Sequence, residues 1–350
     1  MRYLKTATAK KISKIGLGTW QFGAAEWGYG ARYADREAAV IVRRAVELGV
    51  TLFDTAEIYG AGRSERILGR ALGGSRGSVL LATKIFPVAP GALVMRRRAE
   101  ASARRLGASF LDLYQVHWPS PLARDKSIMR GMRSLRSRGL VGDVGVSNYS
   151  LRRWRLADAA LGGSILSNQV HYSLLDHSAE CELLPFAASH GRVIIAFSPL
   201  AQGLLSGTFH GPVTPNDPVR RGNSLFAPEN IARTQELIDL LRDVASAHSA
   251  TPAQIALAWV IRHPSVTAIP GATSLAQLES NVAAADIELT DAEYEALRKA
   301  SLQVGAVKRA TAWDQPILPA LKHAARGAWY VAKTARHDYQ TGPGSEPSLK

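Results

Sequence analysis

Residues 50–60 read VTLFDTAEIYG, an apolar run that ends in Asp54 and continues into a loop carrying Tyr59. The next two apolar runs along the chain end in Lys84 and His117. Apolar runs that alternate with helix-like segments predict parallel strands, whose carboxyl ends lie together at one edge of a sheet or barrel. That edge is where such folds carry their chemistry. We therefore expect these four side chains to form one site.

Each of these residues also has an ordinary structural interpretation. An aspartate after a strand often caps a turn or a helix, and Lys84 can be solvated. A strand-end histidine such as His117 usually satisfies a polar neighbour. Their occurrence at three successive strand ends, with Tyr59 in the adjoining loop, favours a functional site.

The same rhythm continues along the chain and predicts its fold. Strands are expected at 15–18, 50–53, 79–83, 110–116, 141–146, 165–168, 193–197 and 266–269, with helices between them, including one at about 178–190. Repeated strand–helix units of this number predict an α/β protein closed into a (β/α)8 TIM barrel. A long interruption at 199–226, rich in Gly and Pro, is more typical of a functional lid than of a linker.

Cap residues mark several helix starts. Asp35 is expected to cap the helix before the second strand. Residues 251–254 read TPAQ, which combines an N-cap, a first-turn proline and a glutamine three residues on. Ser274 and Thr290 are each followed three residues later by Gln or Glu, which predicts two further helix starts.

Composition limits the class of protein. The chain has 350 residues, is 46% hydrophobic and carries a formal net charge of +14, which is typical of a soluble globular protein with a sizeable core. Its single cysteine, Cys181, excludes an internal disulfide and fits a reducing compartment. The start of the chain shows no apolar secretion segment, and no apolar run has the length of a transmembrane span. We expect a cytoplasmic protein.

The positive charge is concentrated in arginine clusters. They occupy residues 96–98, 104–105, 130–138 and 152–155, all within segments expected to be barrel helices. Solvated outer helix faces account for such clusters, and nucleic-acid binding would need a recognisable module or interleaved aromatics. We expect no specific nucleic-acid partner, although the charge favours anionic surfaces non-specifically.

Several short motifs follow one another along the chain. They are Gly16–Trp20, Asp54–Gly60, Lys84, His117-Trp118-Pro119, Gly145–Tyr149, Ser198-Pro199-Leu200 and Ile269–Ala272. As an ordered set they resemble the aldo-keto reductases, over residues of about 12–301. The resemblance implies an N-terminal hairpin in residues 1–13 that closes the bottom of the barrel. It also implies a barrel domain at 1–302 and a C-terminal extension at 303–350.

For the site, the resemblance implies reduction of a small-molecule carbonyl compound. Tyr59 would donate the proton, with its pKa lowered by the nearby charge of Lys84. Asp54 would hold Lys84 by an ion pair, and His117 would donate a hydrogen bond to the carbonyl oxygen. The hydride must come from a nicotinamide, because no side chain can supply one.

The usual sequence signature of a dinucleotide site, Gly-x-Gly-x-x-Gly, is missing after the first strand. The resemblance implies instead a set spread over several strand ends. Ser147, Asn148 and Gln169 would hold the nicotinamide amide, and Phe197 would stack on the ring where relatives usually have Tyr. The remaining contacts would come from Ser198, Leu200, Gln202 and Gly203 along the pyrophosphate, and from Gln277 and Asn281 at the adenine.

The segment after the eighth strand bears on the choice of cofactor. Members of the family that prefer NADPH commonly have Arg or Lys there, whereas this chain has Gly271, Thr273 and Ser274. Free backbone amides and the helix dipole still favour a phosphate. We expect NADPH to be preferred by a reduced margin, with NADH possible.

The loop at 20–33 is rich in aromatic residues and is expected to form a pocket wall, alternatively a self-packed loop. The candidate substrate-pocket residues are Trp20, Trp27 and Tyr29 in this loop, together with Trp118.

The C-terminal extension has seven Lys or Arg against three Asp or Glu, and residues 320–337 could form a basic amphipathic helix. Its Trp329-Tyr330 pair would either dock near the pocket or contact an anionic surface.

Two other classes of function share this pattern. One is a cofactor-binding regulatory subunit resembling the potassium-channel β-subunits, and the other is a barrel that binds ligands at an inert site. The intact set of Tyr59, Lys84 and His117 favours an enzyme. The sequence leaves the physiological substrate and the oligomeric state open.

Overall fold

A computed structural model describes residues 1–6, 10–30, 33–87, 91–209, 218–221 and 223–304. Its central element is an eight-stranded sheet whose neighbouring strands are all parallel. In chain order the strands are β3 (Leu17–Gly18), β4 (Leu52–Asp54), β5 (Leu80–Ile85), β6 (Leu111–Val116), β7 (Val141–Ser147), β8 (Ile165–His171), β9 (Val193–Phe197) and β10 (Val266–Ala268).

The sheet closes on itself between its first and last strands. Parallel bridges join Ile15 to Ala268 and Gly18 to Gly271. The amide of Gly16 also donates to the carbonyl of Ala268 at 2.8 Å. The predicted (β/α)8 barrel is therefore confirmed.

A short hairpin closes the bottom of the barrel, as expected. Strands β1 (Tyr3–Leu4) and β2 (Ile12–Ser13) pair antiparallel. Leu4 and Ile12 pack with strand residues such as Leu52 in an inner apolar cluster. A larger cluster fills the layer between the strands and the helices.

Helices surround the strands because their apolar residues recur at helical spacing. They are α1 (Asp35–Glu47), α2 (Arg63–Leu72), α3 (Ala92–Arg105), α4 (Asp125–Ser137), α5 (Leu151–Leu161), α6 (Leu183–Ser189), α7 (Pro218–Arg221), α8 (Pro228–Arg233), α9 (Gln235–Ala247), α10 (Pro252–Ile261), α11 (Leu275–Ala283) and α12 (Asp291–Gln303). The starts predicted at Thr251, Ser274 and Thr290 are confirmed, since each side chain accepts a backbone N–H three residues on.

Two helix predictions were wrong in detail. Asp35 is the first residue of α1 and not its cap, because Ala34 occupies the cap position and its N–H is satisfied by Glu37 at 2.9 Å. The helix expected at 178–190 is limited to α6, since turns occupy the residues that precede it.

The interruption expected to be a lid is only partly described. Residues 201–206 form a 3-10 helix, followed after a gap by α7 and a second 3-10 helix at Ser224–Phe226. The C-terminal extension lies outside the described residues from 305 onward, including the predicted helix and the Trp329-Tyr330 pair. Within the described part of the chain, no helix is long and apolar enough to cross a membrane.

Candidate active site

The ends of β4 and β5 bring Asp54, Lys84 and Tyr59 into contact. Lys84 Nζ donates to Asp54 Oδ1 at 2.5 Å, to the carbonyl of Thr55 at 2.9 Å and to the Tyr59 hydroxyl at 3.2 Å. The side chains of Lys84 and Asp54 are 0% and 3% exposed, so this ion pair is removed from solvent. A buried pair is tolerated only when hydrogen bonds satisfy its remaining polar atoms.

Two glutamines complete the surroundings of Asp54. Gln169 Nε2 donates to Asp54 Oδ2 at 2.8 Å, and Gln115 Nε2 lies 3.3 Å from the same oxygen. Both residues are buried. Gln115 did not emerge from the sequence, although period-two alternation along its strand puts it on the same face as His117.

The pKa of Tyr59 is raised above its ordinary value. Burial of the phenol is the largest cause, the charge of Asp54 adds to it, and Lys84 acts in the opposite direction. Burial also lowers the pKa of Lys84, but Asp54 and Tyr59 raise it by more, so this lysine stays charged. Lys84 thus acts on the phenol in the expected direction, but burial outweighs it and Tyr59 is protonated at neutral pH.

His117 lies beside the phenol in an edge-to-face contact, with 5.6 Å between the ring centroids. Burial first, and then the charge of Lys84, hold the pKa of His117 well below its usual range. Its Nδ1 is buried and has no hydrogen-bond partner among the described residues. The imidazole is therefore neutral and can act as a hydrogen-bond donor.

Three of the four aromatic residues expected at the substrate pocket lie close to Tyr59 or His117. Trp20 is 41% exposed, and its ring centroid lies 5.2 Å from Trp27 and 6.3 Å from Tyr59. Trp118 contacts the ring of His117 at 4.7 Å. Tyr29 lies apart from this group, because it is buried in the core against Tyr33 at 5.2 Å.

The polar residues expected near the nicotinamide meet at the ends of β7 and β8. Ser147 donates its hydroxyl to the carbonyl of Gln169 at 2.8 Å, and Asn148 Nδ2 donates to Ser147 Oγ at 3.1 Å. Phe197 ends the next strand and is half-buried, with its ring in edge contact with His171 at 5.3 Å. This arrangement offers amide and hydroxyl groups beside an aromatic face.

The loop after β9 has an unusual backbone. Ser198, Ala201 and Gln202 have φ values of 48°, 47° and 56°, and Gly203 has 97°. Non-glycine residues in the left-handed region occur mostly where the surroundings fix them, often at ligand sites. Consecutive amides in such turns form anion-binding concavities. Leu200 precedes this turn, so the residues expected along a pyrophosphate lie in one loop.

Arg220, which the sequence did not single out, lies over this loop. Its Nε donates to the carbonyl of Gln202 at 2.7 Å, and its guanidinium lies 5.3 Å from the ring centroid of Trp27. Phe209 and Phe226 flank it at 5.5 and 6.0 Å. No motif marks this residue, because it lies in the irregular segment after β9.

The start of α11 forms the last part of the expected cofactor site. The Thr273 amide and hydroxyl both donate to Gln277 Oε1, at 2.9 and 3.0 Å, and Ser274 caps the helix. Asn281 is buried and its Nδ2 donates to the carbonyl of Gly271 at 3.3 Å. Gln277 therefore folds back on Thr273, and Asn281 supports the turn from within.

Comparison with known proteins places the chain in a family. The sequence model of the aldo/keto reductase family matches residues 14–302. The chain belongs to the aldo/keto reductase family. Its class of activity is oxidoreduction of carbonyl compounds with a nicotinamide cofactor.

Individual aldo/keto reductases show the extent of the similarity. An uncharacterized oxidoreductase of Mycobacterium tuberculosis is 55% identical over 301 residues, which cover 86% of this chain and 93% of the relative. A methylglyoxal reductase of Escherichia coli is 34% identical, with 83% and 91% covered. A solved aldo/keto reductase from Klebsiella pneumoniae, in complex with NADP and acetate, is 32% identical with a TM-score of 0.69, covering 85% of this chain and 94% of the other.

Proposed function

We propose that this protein reduces an aldehyde or ketone to an alcohol with NADPH, and that Tyr59 supplies the proton. The observation that carries the proposal is the contact of one buried ammonium, Lys84 Nζ, with both Asp54 and the Tyr59 hydroxyl. A protonated phenol beside a neutral His117 offers two donors to one carbonyl oxygen. Such donors stabilise the negative charge that develops on that oxygen during reduction.

When bound, a reduced nicotinamide supplies the hydride to the carbonyl carbon. Tyr59 gives its phenolic proton to the oxygen, so the carbonyl becomes an alcohol, and Lys84 stabilises the phenolate that Tyr59 becomes. His117 orients the carbonyl by a hydrogen bond. The raised pKa of Tyr59 keeps the proton in place until the oxygen becomes basic.

The residues of the chain fit a nicotinamide dinucleotide. Ser147, Asn148 and Gln169 present amide and hydroxyl groups, and Phe197 presents an aromatic face without the hydroxyl of a tyrosine. The left-handed loop at 198–203 and the guanidinium of Arg220 suit the charge of a pyrophosphate. We assign these residues, with the start of α11, to the cofactor.

We further propose that the substrates include small aldehydes, among them α-oxoaldehydes. The support is the similarity to a methylglyoxal reductase and the partly exposed aromatic wall of Trp20 and Trp27. We assign the reaction to the barrel at 1–302 and treat 303–350 as an extension of it. The single Cys181 favours a reducing compartment, and we propose the cytoplasm.

The test is NADPH oxidation by the full-length protein across a panel of aldehydes and ketones that includes methylglyoxal. We expect turnover that depends on both carbonyl and cofactor. Cofactor binding without turnover on any carbonyl would contradict the proposal, and would favour the regulatory subunit or the inert binding module.

A further inference from the structure

Glu57 lies in the loop between Asp54 and Tyr59, and its side chain is 4% exposed. One carboxylate oxygen accepts the amide of Phe86 at 2.5 Å. The carboxylate also forms a two-point ion pair with Arg98 on α3, through Nε at 3.1 Å and through a close contact with Nη2. The proposed reaction uses neither of these charges.

Glu57 lies between the segments that carry Tyr59, Lys84 and His117, which the proposed reaction does use. Its amide donates to the carbonyl of Lys84 at 3.4 Å, and Phe86 follows Lys84 by two residues. The Phe86 ring packs edge-on against Trp118 at 4.3 Å, beside His117. Glu57 thus attaches the loop of Tyr59 to the end of the strand that carries Lys84.

We infer that Glu57 and Arg98 form a positioning pair that holds the loop at 55–59 against the end of β5 and so fixes the contact of Tyr59 with Lys84. The inference rests on the proposed role of Tyr59 and adds two positioning residues to it. The chain reverses in the left-handed region directly after Tyr59, at Gly60 and Ala61 with φ of 51° and 56°. The attachment on the other side of the tyrosine then limits where its hydroxyl can lie.

A buried ion pair can also serve stability alone, and the same helix offers a matched control. Arg105, two turns after Arg98 on α3, donates to Glu65 Oε2 at 2.6 Å, and Glu65 Oε1 accepts the Thr83 hydroxyl at 2.7 Å. Glu65 and Arg105 are as buried as the first pair, at 0% and 12% exposure against 4% and 11%. This second pair attaches α2 and α3 to β5 without including the loop at 55–59.

The experiment compares Glu57→Gln/Arg98→Met with Glu65→Gln/Arg105→Met in the full-length protein. Each double variant removes both charges, so neither leaves an unpaired buried ion. Arg98→Lys is the milder variant, which keeps the charge but loses the two-point contact. Turnover with NADPH and methylglyoxal, Tm, cofactor Kd and amide hydrogen exchange of residues 52–62 are measured for each.

We expect Glu57→Gln/Arg98→Met to lower kcat by about tenfold to a hundredfold, as expected for a displaced catalytic group, with KM and cofactor Kd nearly unchanged. The peptide at 52–62 should exchange faster. Arg98→Lys should show a smaller decrease in kcat and a smaller increase in exchange. If the double variant does not fold, the result for Arg98→Lys tests the inference.

Glu65→Gln/Arg105→Met should lower Tm by a similar amount and leave kcat and exchange at 52–62 close to wild type. The inference is overturned if both pairs affect kcat equally, or if loss of the Glu57 pair changes Tm alone. A wild-type protein without turnover would contradict the proposed function instead. Exchange at 52–62 would then still decide whether the pair orders the loop.

Discussion

Gln169 donates a hydrogen bond of 2.8 Å from Nε2 to Oδ2 of Asp54. The other oxygen of this carboxylate binds Lys84 at 2.5 Å. One residue assigned to the nicotinamide is therefore joined through Asp54 to the lysine that contacts Tyr59. Under the proposed assignment, cofactor binding and proton transfer depend on the same buried carboxylate.

This arrangement predicts that Gln169→Met lowers both stability and cofactor affinity. Loss of a good hydrogen bond to a charged group should cost about 1.5–3 kcal/mol in the free energy of unfolding, measured by urea denaturation. Gln115→Met is the control, because its contact with Asp54 is longer at 3.3 Å and its Oε1 has no partner among the described residues. Equal losses of stability and of cofactor affinity in the two variants would contradict the role given to Gln169.

Tyr59→Phe should lower kcat by about a hundredfold or more, because it removes the proposed proton donor. Lys84 keeps Asp54 and the Thr55 carbonyl as partners, so Tm should change little. Cofactor Kd, measured by fluorescence quenching, should also stay close to wild type. A variant with near-normal turnover would remove Tyr59 from the mechanism.

Lys84→Met should be comparably damaging to kcat and should raise the pKa that governs alcohol oxidation. Oxidation needs the phenolate, and the charge of Lys84 lowers the pKa of Tyr59, so its removal must move the profile to higher pH. Asp54 would also be left as an unpaired buried charge, at a cost of about 3–5 kcal/mol. Asp54→Asn/Lys84→Met removes that charge too and should recover stability but not turnover. An unchanged pH profile would argue against the tuning role.

Stability should fall as the pH drops below about 6.5, the ordinary pKa of histidine. Burial holds the folded-state pKa of His117 well below that value, and burial also lowers the pKa of His263. The unfolded chain therefore binds more protons in this window, so acid favours unfolding. His117→Gln should flatten the dependence of unfolding free energy on pH between 5 and 7. His263→Gln should flatten it less, since His263 is less buried.

The ends of the strands were predictable from the sequence because they repeat. Apolar runs of regular spacing indicate which residues lie at or next to the end of each strand, and a closed parallel sheet brings those residues together. This pattern was sufficient to predict that Asp54, Lys84 and His117 lie in one site. The helix starts at Thr251 and Thr290 were equally local, because each cap depends on residues only three positions apart.

Features that depend on distant packing could not be predicted. Arg220 reaches the loop at 198–203 from a segment without repeat or motif, and Gln277 turns its side chain back to Thr273. The net shift of the Tyr59 pKa depends on how far burial outweighs a charge that the sequence did identify. Such balances are set by the packed surroundings and leave no signal in the order of residues.

In the proposed cofactor site, the start of α11 determines the preference between NADPH and NADH. Thr273 gives both its amide and its hydroxyl to Gln277, and no Arg or Lys occupies residues 270–277. A 2′-phosphate at this position would have to compete with Gln277 for the donors of Thr273. Backbone amides and the helix dipole still favour a phosphate over a hydroxyl, so we expect NADPH to be preferred by a modest factor.

Thr273→Arg should increase the preference for NADPH by about tenfold to a hundredfold. This factor corresponds to the free energy of about 1.5–3 kcal/mol that a hydrogen bond to a charged group contributes. The measurement is kcat/KM for the two cofactors at one carbonyl concentration. Arg220→Gln is the matched control, because both cofactors contain a pyrophosphate. Loss of the Arg220 guanidinium should therefore lower kcat/KM with both cofactors and leave the ratio of the two values unchanged. A wild-type preference for NADH would contradict the expectation. If the ratio of kcat/KM with NADPH to kcat/KM with NADH is unchanged in Thr273→Arg but changes in Arg220→Gln, the 2′-phosphate binds at the loop after β9 and not at α11.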